Sequence, residues 1–217
     1  YKYAVEIANV KTKWILRIDA DERLTDKSAA ELEKLCNDNQ DTDVSGIVLR
    51  FYNMFLGKPM MHGGMYPWKK LSVYKAGLGD IEDRNMDEHI ILSKGKTIVA
   101  REDSEHLAFR GLTFFTNKCN WYSDREVMDY FEQIRVNKQN ASFKTRFKMK
   151  VYYKLPLGFR SWVYYLYRYY ICLGFLDGKE GKIFAVLGTY WYRFLIDAKI
   201  YEHEKLGENC KSTGPLK

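Results

Sequence analysis

Three carboxylates within four positions are the residues of this chain best suited to chemistry. Asp19, Asp21 and Glu22 follow an apolar run that begins at Trp14, in the segment WILRIDADERL. Residues two apart in extended backbone point the same way, so Asp19 and Asp21 can converge on one object. Like charges held together need a cation, either a metal ion or a basic side chain. The competing interpretation is a strand end followed by a helix cap, because D-x-D triplets also occur by chance.

The elements that must position this triplet are predicted from hydrophobic period and turn residues. Strands are predicted over residues 14–19, 45–53 and 70–74, and a hairpin over 90–92 and 97–100. Helices are predicted over 1–10, from a cap at Thr25 or Asp26 to residues 37–39, and from Leu112 onward. The pattern up to about residue 136 therefore predicts an α/β sheet domain.

Composition excludes several classes of protein. The chain has 217 residues, of which 46% are hydrophobic and 16% aromatic, so it is not a disordered chain. Its four cysteines, at 36, 119, 172 and 210, form no C-x-x-C pair. This spacing argues against a zinc ribbon or a disulfide framework and indicates reduced thiols in a cytoplasmic setting. No basic leader precedes an apolar segment, so no signal peptide is predicted.

The basic charge is concentrated in the C-terminal third. Residues 1–137 carry a net charge of −2, whereas residues 138–205 carry +8. Between Val151 and Phe175, 10 of 25 residues are aromatic, interleaved with Lys and Arg. This composition predicts in-plane attachment to an anionic membrane surface, because the apolar run over 183–196 is too short to span a bilayer. One alternative is that these aromatic side chains pack on the sheet domain. Another is that they bind single-stranded nucleic acid, but that function would leave the acidic strand without a role.

Several motifs, taken in order, resemble one family. WILRIDADERL resembles the metal-binding motif of inverting family 2 glycosyltransferases with the GT-A fold. MDEHI, over 86–90, resembles their segment with the acceptor-side carboxylate. HLAFRGLT from His106 and KCNWYS from Lys118 resemble the histidine and the helix that follow. GFLDGKEG from Gly174 resembles the C-terminal helical region of bacterial members that build lipopolysaccharide or capsule.

The resemblance implies a fold class and a division of the chain. The expected fold is α/β, with a GT-A-like, Rossmann-related mixed sheet followed by an aromatic-rich helical C-terminal region. Residues 1–136 would form the C-terminal half of the catalytic domain, and 137–217 a basic region that attaches to the membrane. The family's opening strand V-S-V-I-I-P-x-Y-N and its V-D-x-G-S-x-D segment have no counterpart here. The sheet is therefore expected to be N-terminally incomplete and to lack much of the nucleotide-base pocket.

The resemblance also implies roles for individual residues. A divalent metal, Mn²⁺ or Mg²⁺, would neutralise the leaving diphosphate. The implied metal ligands are Asp19, Asp21 and His106. The implied diphosphate contacts are Asp19, Arg110 and Lys118. The implied base is Glu88, with Asp87 as the alternative, and the implied acceptor contacts are Trp68 and His89.

Together these roles imply a metal-dependent, inverting hexosyltransferase. It would transfer a sugar from a nucleotide-diphosphate sugar to a glycan or lipid-linked acceptor in bacterial envelope polysaccharide synthesis. The expected location is cytoplasmic, peripheral on the inner face of the cytoplasmic membrane. A non-catalytic binding module, whose basic aromatic region grips nucleic acid or an anionic membrane, is the alternative from a different class of protein.

Overall fold

The computed structural model describes residues 11–81, 89–140 and 156–207, and their side chains except at 81 and 133–140. The chain divides into two compact units. Unit 1 comprises Tyr1–Met61 and Met65–Ala108, and unit 2 comprises His62–Gly64 and Phe109–Lys217. The helix predicted over 1–10 lies outside the described residues. The predicted boundary between residues 136 and 137 falls within a long helix of unit 2.

Unit 1 is built on a mixed sheet. Its elements are β1 (Trp14–Leu16), β2 (Glu22–Arg23), α1 (Asp26–Asp38), β3 (Val44–Phe55), β4 (Lys58–Met60), β5 (Trp68–Lys75), β6 (Gly79–Ile81), β7 (Ile90–Leu92) and β8 (Lys96–His106). The main sheet has the strand order β1-β5-β3-β8-β2, with β4 paired to β3. Strands β3 and β8 run parallel, whereas the other neighbouring pairs run antiparallel. The predicted mixed α/β fold class is confirmed at this level.

The core of unit 1 lies beneath the centre of this sheet. Ile47, Leu49 and Phe51 alternate along β3 and are fully buried, with Val73 from β5 and Leu32 from α1 in the same cluster. This alternation places one apolar face of β3 against the helix. The strands predicted over 45–53 and 70–74 are therefore confirmed, each within a longer strand.

The predicted cap of α1 is also confirmed. The backbone N–H of Ser28 donates to the Thr25 hydroxyl, and the Thr25 N–H donates to the Ser28 hydroxyl, which forms a reciprocal capping box. Because Thr25 fills the capping position, the acidic triplet before it is not needed as a cap.

For unit 1, one predicted strand is shorter than expected and one predicted hairpin was wrong. The strand predicted over 14–19 forms as β1 and ends at Leu16; further on the chain turns, so that the N–H of Glu22 donates to the carbonyl of Asp19. The hairpin predicted over 90–92 and 97–100 does not form, because β7 pairs with β6 while β8 lies between β3 and β2. Gly95, with a φ of +90°, still makes the predicted turn. The long parallel ladder with β3 outweighs the local pairing that the turn suggested.

Unit 2 is helical in its described part. Its elements are α2 (Leu112–Asn140), α3 (Phe159–Leu166), a π-helical segment (Tyr167–Ile171), a 3₁₀ turn (Gly174–Asp177), α4 (Gly178–Phe184), a second π-helical segment (Ala185–Trp191) and α5 (Tyr192–Leu206). Val127 and Tyr130 of α2 pack against Ile196 and Ile200 of α5. The long helix predicted from Leu112 and the helical, aromatic-rich C-terminal region are confirmed. Within the described ranges, none of these helices has the length and apolarity needed to cross a bilayer.

Candidate functional site

The candidate site lies in unit 1, at the edge of the sheet where the parallel strands β3 and β8 end. His106 is the last residue of β8, and Asn53 lies opposite it on β3. Glu22 of β2 pairs with His106 from the other side of β8, directly after Asp21 in the chain. The carboxyl ends of neighbouring parallel strands are where α/β sheets place their ligands.

Asp21 and His106 form the centre of this site. Oδ2 of Asp21 lies 3.5 Å from Nε2 of His106, and Nδ1 of His106 lies 2.6 Å from Oδ1 of Asn53. The N–H of Leu107 donates to the carbonyl of Asp21 at 2.6 Å, which fixes the acidic loop to the end of β8. When Nδ1–H donates to Asn53, the imidazole directs the lone pair of Nε2 toward the Asp21 side.

This geometry suits a shared cation. Donor atoms bound at about 2.1 Å to one metal ion lie about 3 to 3.5 Å from each other. The Asp21–His106 separation is at the upper end of that range. The second nitrogen of a metal-binding histidine is commonly held by an oxygen acceptor, as Asn53 holds Nδ1 here. A protonated His106 would alternatively form an ion pair with Asp21.

Asp19 has a different partner. Its Oδ2 lies 2.5 Å from the Lys70 ammonium, which also lies 2.6 Å from Oε1 of Glu22. For Asp19 and Glu22, the required cation is therefore a basic side chain. The sequence did not predict Lys70 as the partner of Asp19, because the two residues lie 51 positions apart in the chain.

Glu22 organises the turn that presents Asp19. Its side chain is only 1% exposed, and its Oε2 accepts the backbone N–H of Asp19 at 2.9 Å. The buried carboxylate is satisfied by this bond together with the Lys70 ammonium. Glu22 thus positions Asp19 and does not cap α1.

Trp68 is also brought to the site. Its ring centroid lies 4.9 Å from that of His106 and 5.4 Å from that of Phe51. The side chain stays more than a third exposed, so part of the indole remains open to solvent. An exposed indole beside polar groups can pack against the apolar face of a sugar ring.

The other predicted site residues are placed as follows. His89 is exposed immediately before β7 in unit 1. Arg110 and Lys118 belong to unit 2, where their charged groups lie 5.4 Å and 5.7 Å from the ring centroids of Phe114 and Tyr122. Glu88 and Asp87 lie outside the described residues. Among the described residues, no three His, Cys, Asp or Glu side chains form a group that could hold a metal.

Glu105, next to His106 on β8, forms a polar network of its own. The Tyr52 hydroxyl donates to its Oε1 at 2.7 Å, and the Arg23 guanidinium donates to its Oε2 at 2.6 Å. The hydrogen bond from Tyr52 and the charge of Arg23 lower the pKa of Glu105, against the effect of burial. Burial and the neighbouring carboxylate raise the pKa of Tyr52 to about 12. This network holds β2 against β8 beside the site.

Glutamine at position 105 is expected to reduce the pH dependence of unfolding. Because folding lowers the pKa of Glu105, its contribution is present above the unfolded value of about 4.3 and is lost as the pH falls through the folded pKa. Glu105→Gln should cost about 1 kcal/mol at neutral pH and less at acid pH. Urea unfolding at several pH values measures this difference. Glu102→Gln, an exposed position on the same strand, should behave like wild type; an equal effect at both positions would contradict the assignment.

A second histidine–carboxylate pair lies in unit 2. Asp177 is buried and accepts from the backbone N–H of His62 at 2.9 Å, while its Oδ1 lies 2.7 Å from Nδ1 of the same histidine. In the surrounding GFLDGKEG motif, a Cβ at Gly181 would lie 2.4 Å from the carbonyl oxygen of Gly174. The motif therefore serves close backbone packing and anchors residue 62.

The chain matches no family model, and no solved structure matches it significantly. The resemblance to family 2 glycosyltransferases therefore rests on the sequence motifs alone.

Proposed function

We propose that unit 1 carries the metal- and diphosphate-binding end of an inverting, GT-A-type glycosyltransferase. The observation that carries the proposal is the Asp21–His106 pair, with His106 oriented by Asn53 at the carboxyl ends of β3 and β8. Two ligands from the protein leave coordination positions for water and phosphate oxygens. Mg²⁺ sites that act on phosphorylated substrates commonly use one or two carboxylates and complete their shell with water and phosphate oxygens.

The residues present fit a divalent metal that binds together with its substrate. Asp21 and His106 would hold the ion, which when bound supplies positive charge to the leaving diphosphate. Asp19, fixed by Lys70 and Glu22, would lie beside it and contact the donor. Because Asp19 is already paired with an ammonium, direct ligation of the metal would fall to Asp21 before Asp19.

The rest of the reaction is assigned by resemblance. The substrate would be a nucleotide-diphosphate sugar, and the acceptor a glycan or lipid-linked sugar of bacterial envelope polysaccharide synthesis at the inner face of the cytoplasmic membrane. Glu88, or alternatively Asp87, would accept the proton of the attacking hydroxyl. Arg110 and Lys118 would contact the diphosphate, while Trp68 and His89 would contact the acceptor.

Calorimetric titration with inorganic pyrophosphate tests the proposal, because this ligand needs no nucleotide-base pocket. The 217-residue chain should bind pyrophosphate in the presence of Mn²⁺ or Mg²⁺ and bind it at least about tenfold more weakly in EDTA, since the metal supplies the bridging charge. The titration in EDTA is the control for binding by surface lysines and arginines. Equal affinity with and without metal would overturn the proposal.

A further inference from the structure

Helix α3 and the π-helical segment after it have their polarity reversed. A surface helix of a globular protein normally turns its apolar stripe to the core and its polar face to solvent. Here Ser161 is fully buried and Arg160 is 8% exposed, whereas Ile171 is 72% exposed. The large hydrophobic side chains exposed along this stretch are Phe159, Trp162, Val163, Tyr167, Tyr170 and Ile171.

These exposed side chains form one continuous stripe. Their spacing repeats every three to four residues, so they lie along one side of the helix over residues 159–171. Arg160, next to Phe159 in the chain, is held to α5 by its buried ion pair with Asp197, and Ser161 beside it is fully buried. The stripe therefore faces outward because its polar neighbours hold the helix in that orientation.

A second exposed stripe lies on the neighbouring helical stretch. Ile183, Val186 and Tyr190 are exposed at the same three-to-four spacing, and the ring of Tyr190 lies 6.4 Å from that of Tyr165 in α3. The exposed residues Lys179 and Lys182 precede this stripe on α4.

The charges of this part of the chain complement an anionic surface. Residues 156–191 contain four Lys or Arg and two acidic residues. One acid, Asp177, is buried against His62, and one base, Arg160, is buried against Asp197. The remaining charges are Arg168, Lys179 and Lys182 against Glu180. Lys179 and Lys182, together with the exposed Trp and Tyr side chains of residues 156–191, match the composition that favours the boundary between lipid headgroups and acyl chains.

The length of the first stripe suits a helix that lies in the plane of a bilayer. Its thirteen residues extend about 20 Å. Such a helix inserts its apolar side to a depth of about 5 to 10 Å, which is the reach of Trp and Tyr side chains.

We propose that the stripe over residues 159–171 is an in-plane docking face for a bilayer that contains anionic lipid. The apolar side chains enter the acyl boundary, the tyrosine hydroxyls and the indole N–H remain at the headgroups, and Lys179 and Lys182 contact the anionic headgroups. The membrane contact expected from composition would thus be made by this face. It is independent of the proposed sugar transfer.

Flotation of the 217-residue chain with vesicles of phosphatidylcholine and phosphatidylglycerol tests the docking face. Wild type should float with these vesicles, and less with phosphatidylcholine alone or at high salt. Ile171→Glu and Trp162→Glu should each reduce the bound fraction about tenfold or more, because each places a charge at the acyl boundary. Met128→Glu is the matched control, since Met128 is an exposed apolar residue on α2 of the same unit.

The outcomes separate the membrane from other partners. Loss of flotation at positions 162 and 171 but not at 128, with unchanged circular dichroism, supports the proposal. Equal loss of flotation in all three variants would overturn the membrane proposal, as would unchanged vesicle binding in all three. A wild-type chain that does not bind vesicles but forms a dimer, which Ile171→Glu dissociates, would also overturn it. Wild-type binding to single-stranded oligonucleotides without binding to vesicles would overturn it in favour of nucleic acid.

Discussion

Replacement of Arg160 by leucine is expected to destabilise the chain by about 3 to 5 kcal/mol, the largest stability effect that the structure predicts. The side chains of Arg160 and Asp197 are 7% and 8% exposed. The Arg160 Nε donates to Oδ2 of Asp197 at 3.2 Å, and its Nη2 donates to Oδ1. Removing the guanidinium leaves a buried carboxylate without its counter-charge. The cost of that uncompensated charge exceeds the cost of losing a pair exposed to water.

Urea unfolding followed by circular dichroism measures this effect. The matched control is Arg193→Leu, because Arg193 pairs with Glu126 at 3.0 Å in the same unit while both side chains are more than a third exposed. The control should cost about 0 to 1 kcal/mol. The double variant Arg160→Leu, Asp197→Leu should recover much of the loss, since it removes both buried charges. Equal losses for Arg160→Leu and Arg193→Leu would contradict the buried-pair assignment.

Asparagine at position 21 is expected to lower metal-dependent pyrophosphate affinity by about 100-fold or more. Asp21→Asn keeps the shape of the side chain and removes the negative charge that faces Nε2 of His106. Asn53→Leu should lower the same affinity by about 10- to 100-fold, because it removes the acceptor beside Nδ1 of that ring. The two variants separate the loss of a ligand from the loss of its orientation.

Asp43→Asn is the matched control for position 21. Asp43 is an exposed carboxylate that pairs with Lys96 at 2.7 Å, so its replacement removes the same charge elsewhere on unit 1. Its pyrophosphate affinity should equal that of wild type. If Asp43→Asn weakens pyrophosphate binding as much as Asp21→Asn does, the loss comes from the change in net charge, and the metal site does not include Asp21.

Local signals predicted the parts of the fold that local chemistry determines. The helix cap, predicted at Thr25 or Asp26 and found at Thr25, and the β-branched run of β3 both depend on neighbouring residues, and both were predicted. The strand that pairs with β8 is the one that offers the longest buried ladder of hydrogen bonds. The turn at Gly95 gives no information about which strand that is. The predicted hairpin was therefore wrong although its turn was right.

The same distinction applies to the site. Asp19 and Asp21 were found because they lie two residues apart, and His106 was found through a motif. Lys70 and Asn53 were missed, because their roles arise only when the register of the sheet places them beside residues far away in the chain. The need for a cation near Asp19 was predictable, whereas its identity as Lys70 required the structure.

The position of a bound metal ion tests the central proposal most directly. The chain has four histidines, so the imidazole resonances of His62, His89, His106 and His203 can be followed separately by NMR. Trace Mn²⁺ added with pyrophosphate should broaden the His106 resonances at concentrations that leave His62 and His203 sharp. Asp21→Asn should remove this selectivity. Broadening that begins at His62, or that is equal at all four histidines, would contradict the assignment of the site to Asp21 and His106.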